Sequence, residues 1–289
     1  RIRNPNSRRT VMKICIGSDA HLEFGRGELQ VPECDVLLLA GDVFVPHLDN
    51  QSKNAKDKLK KRYTRFFKEV SEKCGMTYMI MGNHEHYGGF FLETKDKINH
   101  YLEPFPNIRL LDNESVALSK DVVLFGATMW TDYKDENPEA MMICRNRMSD
   151  HEVIFAHRGS GPYDVSERFL PRHAARENQY TREKIVEFLS KYRDNKVTIV
   201  MTHHAPSWVC VGDMFKLDIM SYGYANTGLD DMLLDGDGPD FWIHGHMHKR
   251  DVITHGATRI ICNARGYFGH QRTDDFTWRE MNLEILESE

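Results

Sequence analysis

The sequence predicts an α/β fold, and two observations carry that expectation: short apolar runs bounded by Gly, Asp or Asn, and helix-like segments alternating with them. The runs are VMKICIG (11–17), DVLLLAG (35–41), MTYMIMG (76–82), VVLFGAT (122–128), KVTIVMT (196–202), DFWIHG (240–245) and TRIICNA (258–264). Each is apolar and often β-branched, as buried strands are. Between the second and third, Ala55, Leu59, Tyr63, Phe66, Phe67, Val70 and Cys74 recur at spacings of three and four, predicting an amphipathic helix. Ile185, Leu189 and Tyr192 mark another before KVTIVMT, and some later strands are expected to pair antiparallel. No internal repeat or low-complexity linker interrupts residues 12–289, which read as one domain. Residues 1–11 lack periodicity and read as a tail or a remnant of cloning, with Met12 a suitable natural start.

Composition narrows the function classes. A chain of 289 residues can bury a substantial core. It has no apolar stretch approaching the ~18 residues of a membrane helix, so a soluble protein without a membrane partner is expected. A net charge of −5 argues against a generic nucleic-acid-coating protein, although a local basic patch is compatible with it. The six cysteines show no CxxC spacing, and Cys15, Cys74 and Cys262 sit in or beside apolar runs. They read as reduced core residues, which favours a cytoplasmic location. Histidine is the unusual count: fifteen of them raise the suspicion of metal.

The chemistry-bearing residues follow the strands. SDAH supplies Asp19 and His21 after the first run, GDV supplies Asp42 after the second, and GNHEH supplies Asn83, His84 and His86 after the third. THHAP brings His203 and His204, and IHGHMH brings His244, His246 and His248, each two apart so that an extended chain would place them on one side. Five buried strands thus deliver Asp, Asn or His at their carboxyl ends, where loops of an open α/β sheet converge on a ligand. Mixed carboxylate and imidazole donors suit Mn²⁺, with Fe²⁺ or Zn²⁺ as alternatives. Two cations about 3.5 to 4 Å apart need a bridging anion, and Asp42, directly after Gly41, is the candidate. Any one of these residues alone has a bland structural explanation; five blocks together do not.

The blocks SDAH, GDV, GNHE, THHAP and HGHMH, in this order over residues 18–248, resemble the calcineurin-like metallophosphoesterase family, in a bacterial and phage-type subgroup whose first block reads SDxHLEF. The resemblance implies a four-layer α-β-β-α sandwich of two mixed sheets, a dinuclear metal centre and hydrolysis of phosphate esters. Carried over block by block, it implies Asp19, His21, Asp42 and His248 on one metal and Asp42, Asn83, His203 and His246 on the other. Only one of His203 and His204 need bind, and His203 is favoured because it directly ends its strand. GDVFVPHLD lacks the GDxVDRG continuation of the protein phosphatases, which argues against a phosphoprotein substrate.

A water bridging two cations is acidified enough to attack phosphorus near neutral pH, and Asp42 and His84 are the catalytic candidates, His84 as general acid to the leaving oxygen. His86 and His244 are expected to support ligands, with Glu85 a possible outer partner for an imidazole. Arg265, in CNARGY, either binds phosphate or pairs with Asp132 or Asp150. The polar stretch 157–182 and the loop 207–228 are candidate covers for the site. The basic helix 53–69, on which Lys56, Lys60, Lys61 and Arg65 can share a broad face, would have to lie beside the metal crevice if nucleic acid were the substrate. Substrates expected are phosphate esters, nucleotides or nucleic acid among them. The competing readings are a non-catalytic scaffold, which should have lost ligands, and a structural metal protein, which usually uses a Cys-rich set.

Overall fold

The computed structural model describes residues 9–25, 29–157, 166–271 and 273–286. All seven expected strands form. In chain order the strands are β1 (Arg9–Gly17), β2 (Cys34–Leu39), β3 (Cys74–Met79), β4 (Ile108–Leu110), β5 (Glu114–Ala117), β6 (Val122–Ala127), β7 (Phe155–His157), β8 (Glu167–Arg168), β9 (Val197–Thr202), β10 (Phe241–His244), β11 (Arg250–His255), β12 (Thr258–Asn263) and β13 (Arg279–Leu286). The longer helices are α1 (Lys53–Lys73), α2 (Thr94–Leu102), α3 (Pro138–Arg147) and α4 (Pro171–Tyr192).

Two mixed sheets hold the site. One runs β13-β1-β2-β3-β4, parallel except for β13, and the other runs β11-β12-β10-β9-β6-β5, with antiparallel strands only at its edges. Strand alternation sorts the side chains between two faces. Ile14, Ile16, Val36 and Leu38 point toward the second sheet, where they meet Leu124, Ile199, Met201, Ile243 and Ile261. Cys15, Leu37 and Leu39 point the other way, onto Tyr63, Phe66, Phe67 and Val70 of α1 and Ile98 of α2. On the far side, Phe125, Val200, Trp242 and Ile260 pack against Ile185, Phe188 and Leu189 of α4. The order helix, sheet, sheet, helix is the four-layer sandwich.

Local sequence sets the helix ends. Ser52 caps α1 by accepting from the Ala55 N–H, and the helix gives way at once to β3 at Cys74. Pro171 opens α4 at its first turn, where its missing N–H costs nothing.

Two expectations are corrected. β1 begins at Arg9, inside the segment read as a tail, because Arg9 to Val11 pair in register with Glu284 to Leu286; residues 1–8 lie outside the described part. The stretch 157–182 is not a continuous cover. Residues 158–165 lie outside the described part, while 171–182 is the first half of α4, buried through Ala174, Ala175, Asn178 and Thr181. Those small and polar residues hid its periodicity. The described residues contain no helix long and apolar enough to cross a membrane. All six cysteines are unpaired, and all but the half-buried Cys34 are buried.

Candidate metal centre

The cluster forms where the carboxyl ends of β1, β2 and β3 in one sheet meet those of β9 and β10 in the other. Among the described residues, three groups bring ligand atoms together: Asp19, His21 and His248; His21, Asp42 and His84; and Asp42, His203 and His246. Asp42 is shared by two of them. Its Oδ2 lies 3.7 Å from Nε2 of His21 and 3.3 Å from Nε2 of His203. The Asn83 side-chain oxygen lies 3.0 Å from the same His203 Nε2. Asn83 is aimed by its amide, which donates to Asp150 at 2.7 Å.

Three imidazoles are oriented through their outer nitrogens. Nδ1 of His21 donates to Glu23 at 3.1 Å, Nδ1 of His203 to the Ala40 carbonyl at 2.8 Å, and Nδ1 of His248 to Gln271 at 2.7 Å. Each is left presenting Nε2 inward, the tautomer a metal needs. Nε2 of His21 and Nε2 of His248 then face each other at 3.1 Å, two lone pairs that a shared cation satisfies. A further ring nitrogen, Nε2 of His246, is buried without a hydrogen-bond partner among the described residues. This donor set fits divalent ions.

Charge follows the same logic. Burial alone would raise the Asp42 carboxyl, but His203 and His84 beside it hold it well below the usual carboxylate range. Burial opposes a charge on His203, yet Asp42 outweighs it and lifts the imidazole to about 10, so that a cation at Nε2, a proton or a metal ion in its place, is favoured there. The buried carboxylates therefore draw positive charge into the cluster.

The backbone is shaped for this convergence. Asp19, His21, Asp42, His246 and His248 all have left-handed φ values, between 44° and 63°. Glycine is required where chains close in: a Cβ on Gly82 would meet the Asp42 Oδ1 at 2.1 Å. Glu85, fully buried, is not the partner of an imidazole that the sequence suggested. Its carboxylate accepts from the backbone N–H groups of Gly82, Asp42, Val43 and Phe44, tying the β2 and β3 loops together.

His84 lies at the edge of the cluster. Its Nδ1 donates to Glu23 at 3.0 Å, and its Nε2 lies 3.2 Å from the Tyr267 hydroxyl and 3.9 Å from Asp42. Burial disfavours its charge, but Asp42 and Glu23 prevail and raise it to about 9. His204, His86 and His244 fall outside the three groups. His204 packs between Trp130 and His246, His86 bonds Thr94 and stacks on Phe91, and His244 donates to the Gly245 carbonyl. Arg265 donates to the Ala20 carbonyl. Asp132 and Asp150, its suggested partners, are engaged elsewhere: Asp132 accepts from Thr227 and Gly228, and Asp150 from Asn83 and Tyr87.

Glu23, Tyr267 and Gln271 were not picked out from sequence. Glu23, two residues after His21 in SDAHLEF, and Tyr267, two after Arg265 in CNARGY, carry a sequence signal, whereas Gln271 does not. Beside the cluster a cavity of about 470 Å³ opens between Tyr87, Arg147, Phe215, Tyr224 and Lys249, with the loop 207–228 forming one wall through short 3-10 turns.

Comparison with known proteins bears on family and fold. Residues 12–250 match the family described as calcineurin-like phosphoesterase. Among solved structures, the chain is similar to a phosphopantetheinyl hydrolase from Mycobacterium tuberculosis, at TM-score 0.62 and 14% identity over 93% of this chain and 95% of that one. It is also similar to TT1561 of Thermus thermophilus, at TM-score 0.48 and 12% identity over 94% and 99%. No curated protein sequence matches the chain.

Proposed function

We infer the reaction from one premise: the chain belongs to the calcineurin-like phosphoesterase family and is a metal-dependent phosphoester hydrolase. The finer reading is a dinuclear phosphodiesterase or phosphomonoesterase acting on nucleotides or nucleic acid. The observation that supports its dinuclear part is the position of Asp42, whose Oδ2 faces His21 on one side and His203 on the other. Asp19, His21, Asp42 and His248 would hold one ion, and Asp42, Asn83, His203 and His246 the other. Bound divalent ions, Mn²⁺ before Fe²⁺ or Zn²⁺, would supply Lewis acidity that acidifies water and offsets charge on the phosphate oxygens.

The remaining work belongs to side chains. His84, held through Nδ1 by Glu23, presents Nε2 beside Asp42 and Tyr267, and is assigned the proton for the leaving oxygen. The neighbouring cavity admits a small organic ester and offers it aromatic walls. The scaffold alternative is disfavoured because the full donor set and His84 are retained.

The test is hydrolysis of p-nitrophenyl phosphate and bis-p-nitrophenyl phosphate with added Mn²⁺, in wild type, Asp42→Asn and His84→Ala. Metal-dependent turnover that falls by about a hundredfold or more in both variants is expected. Absence of turnover with any divalent ion, while metal is bound, would overturn the reading.

A further inference from the structure

A second groove shares no lining residue with the 470 Å³ cavity. It has a volume of about 590 Å³ and is bounded by Leu22, Gly25 and Leu29 on one wall and by α1 on the other. The α1 wall is a stripe of Lys58, Lys61, Arg62 and Arg65, spaced so that they share one helical face. Arg265 closes the groove nearest the cluster, and Glu69 is its one acidic lining residue among those described. The stripe differs from the expected face: Lys56 is turned to Asp49, and Lys60 does not line the groove, while Lys58 and Arg62 do.

The groove is joined to the metal cluster. Arg62 donates to the carbonyls of Leu22 and Glu23, fixing α1 against the loop that carries His21. Phe24, next in the chain to the groove-lining Gly25, is half exposed, with its ring 5.3 Å from Tyr267 and 6.0 Å from His84. A single row of cations along about 10 Å of helix, leading to an exposed aromatic ring, suits one phosphate backbone with a base free to stack. A duplex would need a wider double track.

We propose that this groove binds single-stranded nucleic acid, with phosphates along Lys58, Lys61, Arg62 and Arg65, a base on Phe24, and the next phosphodiester at the Asp42 cluster. This rests on the phosphoesterase reading, and it specifies the substrate class of the same site.

The test is fluorescence anisotropy of the metal-loaded protein with a hydrolysis-resistant phosphorothioate oligonucleotide of about 12 nucleotides, titrated at several salt concentrations. The triple variant Lys58→Ala, Lys61→Ala, Arg65→Ala is expected to bind about tenfold or more weakly, and its slope of log affinity against log salt to fall by about 2. Phe24→Ala is expected to weaken binding about tenfold with the slope unchanged. The charge-matched variant Lys120→Ala, Lys184→Ala, Lys191→Ala, none of which lies on α1, should bind as wild type does. Equal behaviour of the two triple variants overturns the proposal. So does polyglutamate, or a vesicle of anionic lipid, binding the groove as tightly as the oligonucleotide. Bis-p-nitrophenyl phosphate separates the two readings: turnover with no groove-dependent binding sinks only this inference, whereas groove-dependent binding with no turnover of any ester sinks the phosphoesterase assignment and leaves the groove as a binding surface.

Discussion

Replacing Gly82 by alanine should disable the metal centre through one methyl group. The backbone at Gly82 lies outside the left-handed region, so the effect is steric: the new Cβ would stand 2.1 Å from Asp42 Oδ1 and 2.8 Å from Cε1 of His203. A relaxed contact needs roughly 1 Å more, and the Asp42 carboxylate cannot yield freely because its Oδ1 accepts from the His84 N–H at 2.9 Å. Overpacking of this kind costs about 1–3 kcal/mol, or roughly 2–5 °C of melting temperature in a chain of this size. Displacing a shared ligand by about 1 Å should cost on the order of a hundredfold in turnover. Thermal unfolding, metal content by mass spectrometry and hydrolysis of bis-p-nitrophenyl phosphate read the three effects. Gly236→Ala is the control, at φ 82° with nothing within 4 Å of the new Cβ, and should lose stability without losing metal. A Gly82→Ala protein that keeps its metal content and turns over within about threefold of wild type would refute the reasoning.

Other substitutions probe separate parts of the molecule. Glu23→Gln removes the negative charge from the acceptor that orients His21 and His84 together, and should lower metal affinity or turnover about 10- to 100-fold with little change in melting temperature. Unchanged affinity and turnover would remove Glu23 from the site. Phe67→Ala empties a position packed edge-on against Phe44 at 5.1 Å, and should cost about 3–5 kcal/mol in urea unfolding while a folded fraction keeps its metal. Acid should weaken the fold through His47 and His86, which burial pushes down to about 4 and about 3. Both stay neutral when folded but take protons near pH 6.5 when unfolded. Their contribution is therefore complete above about 6.5 and fades as pH falls toward the folded values, by at most about 1.4 kcal/mol per pH unit each. His84 and His203, raised instead, have theirs in full below 6.5 and lose it toward about 9 and about 10, so they add no slope between about pH 6 and 5. A urea midpoint that does not move across that interval would contradict this account.

The parts of the fold legible in the sequence are those buried on both faces. Strands such as Cys34–Leu39 and Val197–Thr202 read as largely apolar runs because a sheet covers one side and a helix the other. The edges escaped notice. REMNLEIL alternates half-buried and exposed residues along β13, a period-two pattern that a search for apolar runs passes over. The start of α4 was hidden for a different reason, since Ala174, Ala175, Asn178 and Thr181 make a buried face without large apolar side chains. At the site, Asp and His at strand ends were visible because that placement is itself the signal. The groups that aim them were not: the Ala40 carbonyl has no sequence signature, and Gln271 lies 23 residues from the His248 it orients.

The five left-handed residues at the cluster would tie the stability of this protein to its supply of metal. Each such residue costs roughly 1 kcal/mol, Asp and His tolerating the region better than most, so the centre holds strain of about 5 kcal/mol. That is comparable with the whole net stability of an ordinary domain. Ions that bind only the folded chain offset it in proportion to the logarithm of their concentration. In a cell short of the ion, the folded population would shrink before any individual molecule became a poorer catalyst, and scarcity would be felt as turnover by proteases rather than as slower chemistry.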